Sequence, residues 1–260
     1  MQVIAIDWSG RATGAAEYIW AATVRDGRLC DLRNGRAPAE LADWLVARSA
    51  DDGPLVIGLD FAFSFPRWWC EHAGWATAQD AWRATAADGE TWLADPPWPF
   101  WGRPGMPRDL PGERGLRRTE REVGGAAKSV FQIGGAGSVG TGSIRGMPML
   151  LRIAAAGISV WPFAGAGDAT ALEVYPRVLT GDAAVRKRRW SSRRAHFAQA
   201  RFSEQPQALL ERAAGSEDAF DAAVSALSMS DHLDAILRLP AADDADYRIE
   251  GRIWTPDAGL

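Results

Sequence analysis

The chain has 260 residues, 47% hydrophobic and 24% charged, a globular composition that excludes a disordered or fibrous protein. Acidic residues outnumber basic ones 33 to 29, for a net charge of −4, so affinity for nucleic acid has to come from a local basic patch. Two cysteines and three histidines exclude a disulfide framework and a Cys- or His-rich zinc site; Cys30 and Cys70 both read as small buried residues of a reducing compartment.

Residues 3–8 form a short apolar run closed by Ser9-Gly10, the pattern of a buried strand. The start of the chain meets Asp7 without a basic segment, which argues against a signal peptide and for a cytoplasmic protein. Residues 17–25 are rich in β-formers, Asp26-Gly27 is a hairpin turn signal, and residues 28–32 return. Residues 38–48 place Leu41, Trp44 and Leu45 at helical spacing. After Gly53-Pro54, residues 55–60 are a second apolar strand that ends in an acid, expected to lie parallel to the first because a helix connects them.

Residues 61–144 hold seven of the thirteen Trp and many Pro and Gly. They read as an insertion with short helices near 66–73 and 77–87, then a long ordered loop of the kind that serves as a lid or carries function. Gly135 to Gly140 match GxGxxG, but the following strand lacks the acid a ribose needs, so a glycine loop is expected there and not a dinucleotide site. Residues 145–156 read as a helix, and 158–163 and 171–175 as strands, the second stopped by Pro176. Arg152, Pro148 and Pro162 interrupt the most apolar stretch, so no membrane span is expected. Residues 207–214 and 217–227 read as helices and 247–254 as a terminal strand.

Three apolar β segments carry a single acid each: Asp7, Asp60 and Glu173. A late helix carries Asp218 and Asp221, three apart and so on one face. An ionised carboxylate within an apolar run is costly to bury without a partner, and a hard divalent cation is a partner that suits oxygen ligands. Singly, Asp7 also reads as a turn former, Asp60 as a helix cap and Asp218 as a helix N-terminal acid favoured by the dipole. The run from Arg186 to Arg194 carries six positive charges and no acid. Its Arg186, Lys187, Arg188, Arg189, Arg193 and Arg194 suit phosphate contacts, and Trp190 suits base stacking; the plain alternative is a solvated helix face.

Ile4-Ala5-Ile6-Asp7-Trp8-Ser9-Gly10, Ile57-Gly58-Leu59-Asp60-Phe61-Ala62-Phe63-Ser64-Phe65-Pro66, Leu172-Glu173-Val174-Tyr175-Pro176 and Asp218-Ala219-Phe220-Asp221-Ala222 resemble segments of the domain-of-unknown-function family 429. The resemblance implies one α/β domain over residues 1–260 with an RNase H-like mixed five-stranded sheet, order 3-2-1-4-5, flanked by helices. Residues 61–144 would be a Trp/Pro/Gly-rich insertion after strand four. It further implies a metal-dependent nuclease, with Asp7, Asp60, Glu173, Asp218 and Asp221 as catalytic acids. Asp7, Asp60, Asp218 and Asp221 would hold two Mg2+ or Mn2+ ions about 3.5–4 Å apart. Asp60 departs from the pattern, because many members of the superfamily carry Glu on strand four. Two other readings stand beside it: an ATP-binding protein of the related sugar-kinase and actin-like fold, and a non-catalytic module whose Trp-rich insertion binds a partner.

Overall fold

The computed structural model describes residues 1–257 apart from 52, 107–108, 111, 125–126, 136 and 181–184. Strand β1 (Gln2–Asp7) leads through the helical turn α1 (Ala15–Tyr18) into the hairpin β2 (Trp20–Arg25) and β3 (Arg28–Arg33), and helix α2 (Pro38–Ser49) crosses to β4 (Leu55–Leu59). Next come α3 (Arg67–His72), α4 (Ala78–Ala94), a 3-10 turn at Gly112–Gly115 and α5 (Arg118–Val123). The chain then runs through α6 (Val139–Ala155), β5 (Ser159–Val160), β6 (Ala169–Glu173) and α7 (Pro176–Leu179). It ends with α8 (Trp190–Phe197), α9 (Gln207–Gly215), α10 (Glu217–Asp231), α11 (Leu233–Ile236) and α12 (Tyr247–Glu250).

The α/β class and the mixed sheet match expectation, but the sheet has six strands in the order β3-β2-β1-β4-β6-β5, not five in the order 3-2-1-4-5. The difference arises after α6. The chain pairs two residues at the sheet edge as β5 and then returns to place β6 beside β4. Strands β1, β4, β6 and β5 are parallel, and β2 runs antiparallel to β1 and β3. The carboxyl ends of β1, β4 and β6 therefore open on one edge of the sheet, where α/β proteins bind their ligands.

Both faces of the central strands are covered, which is why they read as unbroken apolar runs. Ile4 and Ile6 of β1 pack with Ile57 and Leu59 against α2, α4, α6 and the insertion. Val3 and Ala5 point the other way, with Val56 and Leu172, onto α9 and α10. Gly58 makes that second contact possible, since a Cβ there would lie 2.5 Å from the sulfur of Met229 on α10.

The Trp-rich segment belongs largely to the core. Trp82 is buried and donates from Nε1 to the Phe63 carbonyl at 2.6 Å. Phe65 contacts the rings of Trp75, Trp92, Phe100 and Phe131 with centroids 5.8–6.3 Å apart. Among the described residues, Trp98 and Trp190 are the tryptophans left substantially open, at 47% and 49%. An insertion that presents its aromatics to a partner does not fit this packing.

Four further expectations need correction. Residues 17–25 begin as α1, and β2 starts only at Trp20. Residues 247–254 are not a strand: α12 ends at Gly251, whose φ of 80° breaks the chain direction, and Ile253 makes one isolated bridge to Glu173. The GxGxxG stretch is not simply a loop, because Val139 and Gly140 already belong to α6, with the Gly140 amide on the Gln132 carbonyl at 2.9 Å; Ala136 lies outside the described residues. Cys70 is buried as expected, but Cys30 is exposed on the edge strand β3. Among the described residues no helix is long and apolar enough to cross a membrane.

Candidate active site at the carboxyl end of the sheet

Asp7 closes β1 and Asp60 follows the last residue of β4. The parallel register sets Ile6 beside Leu59, and the Asp60 amide donates to the Ile6 carbonyl at 3.1 Å, so the two acids stand on neighbouring strand ends. Helix α10 packs across β1 and β2 and brings Asp221 to the same edge. Its start is set by Ser216, whose Oγ accepts from the Ala219 amide at 3.0 Å. Asp218, one turn earlier, is only half-buried and is influenced by Glu217 and Arg11.

Burial and mutual repulsion raise the proton affinity of the whole group. Asp7 is pushed well above the usual carboxylate range by burial, then by Asp221, Asp60 and Asp218. Asp60 is raised to about 8, chiefly by burial and then by Asp221. Asp221 is raised to about 6 by burial, with Lys187 pulling it back down. Such shifts mark negative charge brought together with too little positive charge beside it.

Among the described residues, Lys187 is the cation in contact with Asp221. Its Nζ lies 2.8 Å from Asp221 Oδ2 and 2.7 Å from Oδ1. Despite that ion contact, Oδ1 is buried and accepts no directed hydrogen bond. Arg193 holds the lysine segment in place, because it is buried and donates to the Lys187 carbonyl and, at 2.7 Å, to the Ala214 carbonyl where α9 meets α10.

Two members of the basic run therefore leave the expected nucleic-acid surface: Lys187 turns inward to an acid, and Arg193 caps buried carbonyls. Arg194 pairs with Glu211 at 2.9 Å and lies over Trp190 with 5.2 Å to the ring centroid. Arg186, Arg188, Arg189 and Trp190 remain exposed. They stand within three residues of Lys187 in the chain, with their side chains open to solvent.

Glu173, expected as a catalytic acid, is paired with a cation of the chain itself. It is buried, accepts from the Phe63 amide at 2.9 Å, and meets the Arg117 guanidinium with both oxygens. Arg117 also takes Glu120 Oε1 at 2.9 Å and the Glu250 carbonyl at 2.9 Å. This guanidinium, brought from the insertion 56 residues earlier, engages both oxygens of Glu173. Arg117 and Glu120 were missed as site residues; the signal was their i, i+3 spacing, which lets Glu120 cap the start of α5.

Between the acids and α5 lies a cavity of about 460 Å³. Asp60 lies on its rim, Trp8 and Phe61 form a wall, and the first turn of α6 closes one side. Trp8 is pinned to that helix by its Nε1, which donates to the Gly142 carbonyl at 2.9 Å. The approach depends on Gly10, where a Cβ would lie 2.5 Å from the Gly142 nitrogen.

Among the described residues, no group of three or more His, Cys, Asp or Glu side chains is drawn tightly enough to chelate an ion in this arrangement. Comparisons with family models, curated proteins and solved structures find no match for the chain.

Proposed function

We propose that the protein hydrolyses phosphodiester bonds of nucleic acid with Mg2+ or Mn2+ held by Asp7, Asp60 and Asp221, as in an RNase H-like nuclease. The observation that carries this reading is the gathering of those three carboxylates at one sheet edge with, among the described residues, Lys187 against them. Their donor atoms are all hard oxygens, which suit these ions, and the excess of negative charge is what a divalent cation relieves. Lys187 stands in for part of that charge. When bound, the metal supplies an activated water and a Lewis acid for the leaving oxygen.

The chain's own residues have separate tasks. Asp7, Asp60 and Asp221 would hold the metal, and Asp218, on the more exposed side, would orient water. Arg186, Arg188 and Arg189 supply phosphate contacts along the bound strand, and Trp190 offers a face for a base.

The test is cleavage of single- and double-stranded DNA and RNA with Mn2+, comparing the wild type with Asp7→Asn. Loss of cleavage by about a hundredfold or more in the variant is expected. A variant that cuts like the wild type, or a wild type that binds Mn2+ and cuts nothing, overturns the reading.

A further inference from the structure

The cavity beside Asp60 has a size, a wall and a floor that the hydrolytic reading does not use. Its volume of about 460 Å³ falls in the range of sites for single small molecules and is far too small for a helix or a duplex. Trp8 and Phe61, with ring centroids 5.3 Å apart, make an apolar wall, and the bond from Trp8 to Gly142 holds that wall in place. The floor has a different chemistry. Arg117 is one guanidinium between two buried carboxylates, Glu120 and Glu173, and all three line the cavity. The floor thus sets two carboxylates against one guanidinium.

Each ionised carboxylate offers about four lone-pair sites, and the two oxygens of Glu120 accept only from Arg117 among the described residues. A ligand with N–H donors on its inner edge satisfies that floor. Arg11 and Lys128 stand at the exposed side of the same cavity, where they suit an anion on the ligand's outer end. A flat ring with an amino edge inside and a phosphate outside is a nucleotide.

We propose that this cavity receives one unstacked, amino-bearing nucleobase, adenine or cytosine in particular, of a strand whose neighbouring phosphate reaches Asp60. The inference rests on the nucleic-acid reading above and adds a base preference to it. Taking a base out of the stack costs stacking free energy, which wall and floor together offset.

The experiment is equilibrium binding of AMP, CMP and UMP in EDTA, followed by calorimetry or tryptophan fluorescence. AMP and CMP are expected to bind, and UMP at least about tenfold more weakly, because uracil places carbonyl oxygens where the other two carry an amino group. Val139→Trp, which fills the cavity from the first turn of α6, is expected to abolish AMP binding while Mn2+ binding and melting temperature stay near wild type. Equal binding of all three nucleotides, binding of none, or unchanged AMP binding by V139W overturns the proposal. The comparison among nucleotides uses the wild type alone and does not depend on the variant folding. Because EDTA removes the metal, failure here leaves hydrolysis standing, whereas failure of the Asp7→Asn test leaves nucleotide binding standing.

Discussion

Lys187 Nζ sits 2.7 Å from Asp221 Oδ1, so an inward-turned residue of the basic run neutralises the acid that α10 carries to the sheet edge. It lowers the proton affinity of Asp7, Asp60 and Asp221 together. A side chain that serves three acids in this way competes with any ion that binds them.

Lys187→Met should therefore tighten Mn2+ binding by about tenfold or more, since removing a unit charge a few ångströms from an ion is worth at least that much near a protein surface. Without metal the same variant should melt at a lower temperature than the wild type, because it leaves a partly buried carboxylate unpaired. Calorimetric titration and melting curves with and without Mn2+ check both arms. Unaltered Mn2+ affinity would show that the lysine does not occupy the ion's place.

The acids also set a pH dependence. The native proton affinity of Asp60 is raised, to about 8, above the unfolded carboxylate value of about 3.9. The native state then holds a proton that the unfolded chain has released, and the resulting stability is lost as pH rises toward and through about 8. In EDTA the melting temperature should fall between pH 6.5 and 9, and Asp60→Asn should flatten that fall.

His196 governs the acid side with the opposite sign. It is buried among Phe197, Phe202 and Phe220 with ring centroids 5.4–5.7 Å away, and burial lowers its pKa to about 4, with Arg201 adding to the effect. The unfolded chain binds this proton first, so stability declines as pH drops from about 6.5 toward 4. His196→Phe should remove that decline. Melting curves of H196F at pH 7 and pH 5 give the check, and a variant that loses as much as the wild type on acidification would refute it.

Arg117 and Glu173 form a structural pair, and their variants should behave accordingly. Arg117→Met leaves Glu120 and Glu173 buried without their cation and should cost about 3–5 kcal/mol in chemical denaturation. Glu173→Gln should leave Mn2+ affinity within about twofold of wild type, whereas loss of a metal ligand or its close support costs about ten- to a hundredfold. A large loss of affinity in E173Q would add Glu173 to the residues that hold the metal.

Arg188→Glu with Arg189→Glu should weaken nucleic-acid binding and flatten its dependence on salt, because each released phosphate contact removes close to one unit of slope. Arg193→Ala should act differently. It frees the Lys187 carbonyl and the junction of α9 and α10, and it should lower the melting temperature. Fluorescence anisotropy across salt concentrations, beside thermal melts, separates the two. Equal salt slopes in the wild type and the double variant would remove these arginines from the interface.

The local chemistry of the chain was enough to find β1 and β4 and the acids at their ends. A strand covered on both faces needs an unbroken apolar run, and a charge that closes such a run stands out. It was enough, too, to put Asp218 and Asp221 on one helical face. Tertiary structure decided what spacing does not encode. The seating of α10 on β4 through Gly58 and Met229 sets Asp221 closer to the strand ends than Asp218. The insertion sends Arg117 to Glu173, and Arg193 turns Lys187 inward. The position of β6 between β4 and β5 likewise depended on pairing between segments far apart in the chain. A residue's type states what charge or surface it brings, but its partner is chosen by packing at long range, and that choice separates an ion ligand from half of a salt bridge.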